Sequence, residues 1–142
     1  MTDTVYDTTV VSFSNADLEG RQKDNQLNAR LTYLEDFLRG YRVALYNDKL
    51  SREYTDHLHE IRNDVVEGFI DALDRRGRRS ASNKLSRPDY VKSRGIGWPS
   101  HDQHLLAAAL EGSRTHILVT EDILSGCAAR VKREFGFTVI KT

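Results

Sequence analysis

The chain lacks most of what a secreted or membrane protein needs. Cys127 is its one cysteine, so no internal disulfide can form and no cysteine-based zinc site exists. No apolar run approaches the roughly 20 residues that cross a bilayer. Met1–Thr9 has neither a basic start nor an apolar stretch, so no secretory signal is expected and a cytoplasmic location is. Net charge is missing too: 21 basic residues balance 21 acidic ones. That excludes a histone-like protein or an acidic tail. It does not exclude nucleic acid, because a zero sum can hide a basic face. What is present is 142 residues, 39% hydrophobic and 30% charged, the composition of one globular domain spanning residues 1–142.

Four segments read as strands: Thr4–Ser12, Tyr41–Tyr46, Thr115–Thr120 and Phe137–Lys141. The last three are short, continuously apolar and rich in β-branched residues, as strands covered on both faces are. Helical stripes lie between them. Leu27, Leu31, Leu34 and Leu38 form one. Tyr54, Leu58, Ile61, Val65 and Phe69 form another, within a long helix expected over about 49–73. Leu106, Ala109 and Leu110 mark a third. Leu124, Cys127, Ala128, Val131 and Phe135 mark a fourth, ended by Gly136. This alternation predicts an α/β fold, a three-layer α/β/α sandwich around a mainly parallel sheet of four to five strands.

Residues 74–99 have no clear period and contain both prolines, so they read as a long loop, with room for a short helix. Loops of that length are usually functional. Within it, the twenty residues from Arg75 to Arg94 hold Arg75, Arg76, Arg78, Arg79, Lys84, Arg87, Lys92 and Arg94, eight basic residues against one acid, Asp89. The remaining 122 residues hold thirteen basic and twenty acidic residues. The zero is therefore a cancellation between a basic segment and an acidic remainder. Tyr90 and Trp98 are close enough in sequence to stack on bases, and the basic residues would grip phosphate.

Four acids fall at related places. Asp7 lies near the end of the first strand, where an unpaired buried carboxylate costs several kcal/mol. Glu53 is early in the helix after the second strand. Asp102 opens the third helix, in a capping-box pattern of Ser100 and Gln103. Asp122 directly follows the third strand, and Glu121 beside it reads as solvent-facing, with a secondary metal role as the alternative. In open parallel sheets, sites gather at the carboxyl ends of the strands. Carboxylates converging there repel, and a hard divalent cation with oxygen ligands relieves that.

Taken together, these pieces resemble the PIN-domain family of metal-dependent ribonucleases. The matching stretches are YDTTVV, SREY, SHDQHLLAAAL and ILVTED, followed by a helix and FTVI. The resemblance covers nearly the whole chain. It implies an acidic site of Asp7, Glu53, Asp102 and Asp122 holding Mg²⁺ or Mn²⁺, with Thr120 as the accompanying polar residue. Thr9 stands where the family often has Asn or Ser, and its hydroxyl can take the same hydrogen-bonding role. The implied activity is endoribonuclease cleavage of RNA. A stand-alone chain of this size resembles the toxin of a VapC-type toxin–antitoxin pair, which implies a small protein antitoxin and a homodimer. The alternative is a PIN-like module that has lost catalysis and binds RNA or protein. A third reading, phosphoryl transfer through Asp7, is weakened because Thr9 occupies the second acid position of a D-x-D motif. His101 and His104 read as surface or substrate-facing, His57 and His59 as solvated, and Cys127 as a buried inert thiol.

Overall fold

The computed structural model describes residues 1–142. In chain order the elements are β1 (Thr2–Tyr6), α1 (Thr8–Ser14), α2 (Asn25–Leu38), β2 (Arg42–Tyr46), α3 (Asp48–Asp56), α4 (Asp64–Arg76), β3 (Arg78–Arg79), α5 (Arg87–Gly95), α6 (Gln103–Ala109), β4 (His116–Val119), α7 (Asp122–Ser125), α8 (Ala128–Phe135) and β5 (Thr138–Lys141). Short 3₁₀ turns occupy Leu18–Gly20 and Ser100–Asp102. The five strands form one sheet in the order β3-β2-β1-β4-β5, parallel throughout. This is the α/β sandwich that the alternation of patterns predicts. No helix is long and apolar enough to cross a membrane.

The strand order places the site. From β1 the chain steps outward to β2 and β3, then returns to the other side of β1 for β4 and β5. Parallel crossovers are right-handed, so this reversal puts the two sets of connecting helices on opposite faces. Accordingly α2 packs on α1 and α4, whereas α6 packs on β1, β2 and β4. The reversal leaves a crevice between the carboxyl ends of β1 and β4, the place where open α/β sheets bind ligands.

Three predicted elements differ. The expected strand over Thr4–Ser12 ends at Tyr6, and Thr8–Ser14 is helical. The β-branched run TTVV favours strand locally, but Val10 and Val11 are fully buried in the helix, and burial overrides so weak a preference. The expected helix over about 49–73 is two helices. Asn63 accepts a hydrogen bond from the Val66 amide to start α4 and donates to the Ser14 and Ala16 carbonyls. Asn15 holds the break from the other side, through the Glu60 carbonyl and the Arg62 amide. The expected loop over 74–99 contains β3 and α5. Ser86 caps α5 by accepting from the Asp89 amide, and Pro88 sits in its first turn, where a missing N–H costs nothing.

The core beside the crevice is aromatic. Tyr6, Phe37 and Tyr54 each meet Phe69 edge to face, at centroid separations of 5.0, 5.2 and 5.7 Å. The Tyr54 hydroxyl donates to the Tyr6 carbonyl. That bond ties α3 to the end of β1, one residue before Asp7.

Candidate functional site

Asp7 sits at the junction of β1 and α1. Its amide donates the last sheet bond to the Leu118 carbonyl, at 3.0 Å, and its own carbonyl accepts from the Val10 amide. The residue is only 6% exposed. Burial, then the negative charge of Asp102, pushes its carboxyl up from 3.8 to about 7. Glu121 and Glu53 add to the rise. The Thr8 amide offsets a little, though it is too poorly placed to count as a capping hydrogen bond. Thr9 Oγ1 lies 3.4 Å from Asp7 Oδ2 and 2.7 Å from Thr120 Oγ1. The two expected polar residues therefore link the start of α1 to the residue after β4.

Glu53 is brought in by two anchors. Tyr54 fixes its helix to β1, and the fully buried Asn47 fixes the start of that helix to α6. Asn47 Oδ1 accepts from the Leu50 amide, and its Nδ2 donates to the His104 carbonyl at 3.0 Å. Burial raises the Glu53 carboxyl, with Lys49 and His57 opposing and Asp102 adding. His104 Nε2 approaches Glu53 Oε1 to 3.1 Å, but the angles do not make a hydrogen bond, and buried Oε1 is left without a donor. Burial also lowers His104 to about 4, so the ring is neutral at pH 7 and does not compensate Glu53. This corrects the surface-facing expectation for His104, which is 3% exposed.

Asp102 is positioned by Trp98, whose Nε1 donates to the Asp102 carbonyl at 2.9 Å. Burial raises the Asp102 carboxyl. His101, 3.3 Å away, opposes the shift, and Glu121 reinforces it. Trp98 is fully buried, so it is an anchor and not the expected stacking surface. The capping box does not form: Ser100 makes no capping bond, and Gln103 Oε1 instead accepts from the Leu85 amide at 3.1 Å.

The fourth expected acid is elsewhere. The Asp122 side chain is 88% exposed and pairs with Lys141 on β5, which lowers its carboxyl. Glu121, one residue earlier, is the acid whose charge reaches Asp7 and Asp102. The reason is helical. Residue 121 is the exposed cap before α7, whereas residue 122 is in the first turn and pairs with Lys141 on β5. The cluster is thus Asp7, Glu53, Asp102 and Glu121. No three Asp, Glu, His or Cys side chains approach closely enough to share one ion directly. His57 and His59 are exposed, and Cys127 is buried, as expected.

Much of the basic segment is engaged internally. Arg76 donates to the Leu38 and Phe37 carbonyls and covers the Phe37 ring. Arg78 meets Asp3 and the Glu111 carbonyl, and Arg79 pairs with Asp48. Lys92 and Arg94 donate to the Glu134 and Trp98 carbonyls. Arg75, Lys84 and Arg87 make no side-chain bond and are exposed. A depression of about 400 Å³ opens at Arg79, Ser80 and Ala81 and includes none of the four acids.

Sequence reasoning gives Glu121 a secondary role at most, and that residue is indeed solvent-facing; it turns His104 outward and misses Lys49. Lys49 stands one helical turn before Glu53 and donates from Nζ to the His101 carbonyl at 3.1 Å. Its signal was the i, i+4 spacing to Glu53. A scan against protein-family models finds no match, and neither the curated proteins nor the solved structures include one.

Proposed function

We propose that the chain is a metal-dependent endoribonuclease of the PIN type, acting at the crevice between β1 and β4. The observation that carries this reading is Asp7, a carboxylate buried at the end of β1 with no cation paired to it. Asp7 is raised to about 7 by burial and by other acids, and nothing basic within the crevice pairs with it. Such repulsion is a standing cost that a divalent cation removes.

The donor set fits Mg²⁺ or Mn²⁺. Every candidate ligand is an oxygen, and Glu53 Oε1 is buried without a partner. Mg²⁺ is usually held by one or two carboxylates while keeping several waters, so three direct ligands are not required. Asp7 and Asp102 would be the direct holders, with Glu53 and Glu121 reaching through water. When bound, such an ion activates water for attack on phosphorus and offsets charge on the phosphate. The protein's own groups do the rest. The Thr9–Thr120 hydroxyl pair orients whatever sits beside Asp7 Oδ2. Neutral His104 adds no positive charge beside Glu53. Burial keeps bulk water from screening the charge of Asp7, while Glu53 and Asp102 are half-buried and Glu121 is exposed. A small protein antitoxin and a homodimer belong to the same proposal.

The test is cleavage of total RNA with Mn²⁺, wild type against Asp7→Asn, with mapping of the cut ends. Asp7→Asn should lose roughly a hundredfold or more in rate. Equal cleavage by both proteins would sink the reading. The inactive-module alternative draws support from the lack of three converging ligands. It predicts no heat of Mn²⁺ binding in calorimetry.

A further inference from the structure

The geometry points to Lys49 as a phosphate-binding residue at the rim of the acid cluster, holding a phosphodiester of a single-stranded RNA beside the one to be cut. This deepens the nuclease reading and rests on it.

Three observations carry the inference. First, Lys49 lies one turn before Glu53 on α3, so both side chains leave the same helix face. Second, its ammonium is fixed by the carbonyl of His101, the residue preceding Asp102. Its backbone amide is fixed as well, by Asn83 Oδ1 at 3.0 Å. Lys49 is therefore held between the helix that carries Glu53 and the turn that carries Asp102. Third, no carboxylate lies within ion-pairing distance of Nζ, although its charge is felt by Glu53, Asp102 and His104. An ammonium has three donors. Only one is used here, and it goes to a neutral carbonyl.

The contrast with other cations sharpens the point. Arg79 is paired with Asp48, and Lys141 with Asp122. Those charges are already neutralised by a partner. Lys49 stands beside the acids with donors to spare, in the place where a polyanion would otherwise be repelled. A lysine suits this as a compact charge that can reach one phosphate oxygen from a pinned stem.

The experiment measures binding of a short, labelled single-stranded RNA by fluorescence anisotropy. It uses the Asp7→Asn background in divalent-free buffer, so that cutting does not intervene. Adding Lys49→Gln should make the fall of log affinity with log salt shallower by about 0.7, the share of one single-strand phosphate contact. Lys49→Arg, which keeps the charge, should retain the original slope. A scan with one neutral methylphosphonate link should find a position that weakens binding when Lys49 is present and has no further effect with Lys49→Gln. Losses that simply add at every link, or an unchanged slope, overturn the assignment. If wild type binds RNA through Lys49 but never cuts, the nuclease reading fails and the Lys49 assignment stands. If wild type cuts and Lys49 shows no coupling, only the latter fails. Absence of RNA binding overturns both.

Discussion

Asp7 concentrates the conflict between folding and activity in one side chain. Its carboxyl titrates near 7 in the folded chain against 3.8 for the free group. The folded state therefore holds a proton more tightly than the unfolded state. Stability from this group is fully present below about pH 4 and is lost as the pH rises through about 7. In divalent-free buffer, wild type should lose several kcal/mol across that window. Asp7→Asn should flatten the profile and be the more stable protein at pH 8. Urea unfolding at several pH values reads this directly, and an Asn variant less stable at pH 8 would show that the buried charge is compensated. At the same scale, Asp7 and Asp102 were legible from the residues because each sits beside a strand end or a helix start. The preference for Glu121 over Asp122 was not. Choosing between adjacent acids in VTED requires knowing where α7 begins and that Lys141 on β5 lies within reach of residue 122. That is a contact between residues nineteen positions apart.

Elements rich in local signal were readable, and those made by distant contacts were not. The LNARLTYLEDFL stripe of α2 and the apolar runs of β2, β4 and β5 stand out on periodicity alone. The break between α3 and α4 does not, because Asn15 and Asn63 create it across the fold. Nor does β3, whose two arginines carry no strand signal and lie exposed at the sheet edge, where charge guards against further pairing. Gly77 makes β3 possible. A Cβ there would lie 2.6 Å from the Leu73 carbonyl oxygen and 3.0 Å from that of Ala44, both backbone atoms. Gly77→Ala should therefore cost about 1–3 kcal/mol and free Arg79 from Asp48. Gly95→Ala meets nothing within 4 Å at the end of α5. It should be neutral or stabilise by up to about 1 kcal/mol. Chemical denaturation of the two variants side by side checks the contrast, and an equal response from both would remove the steric argument.

Across the whole molecule, zero net charge conceals an arrangement. The carboxyl ends of β1 and β4 gather four acids, while most of the basic segment is spent on carbonyls and on Asp3 and Asp48. The sheet order creates that gathering, since only the reversal at β1 brings residues 7 and 121 to one crevice. Folding thus stores repulsion in the place where a cation would release it, and stability should be linked to the ion. At about a hundred times its dissociation constant, Mn²⁺ should stabilise the chain by about 2.7 kcal/mol, a rise of several degrees in Tm. The rise should vanish in Asp7→Asn and shrink in Glu121→Gln. It should survive in Asp122→Asn, because that carboxylate already belongs to Lys141. Monovalent salt at equal ionic strength should give only a small part of the effect, because screening weakens repulsion without replacing the missing ligand. Thermal melts of these four proteins, with and without Mn²⁺, separate a metal-binding crevice from a merely acidic one. Equal shifts in all four would mean that the ion acts on the surface at large and that the crevice holds none.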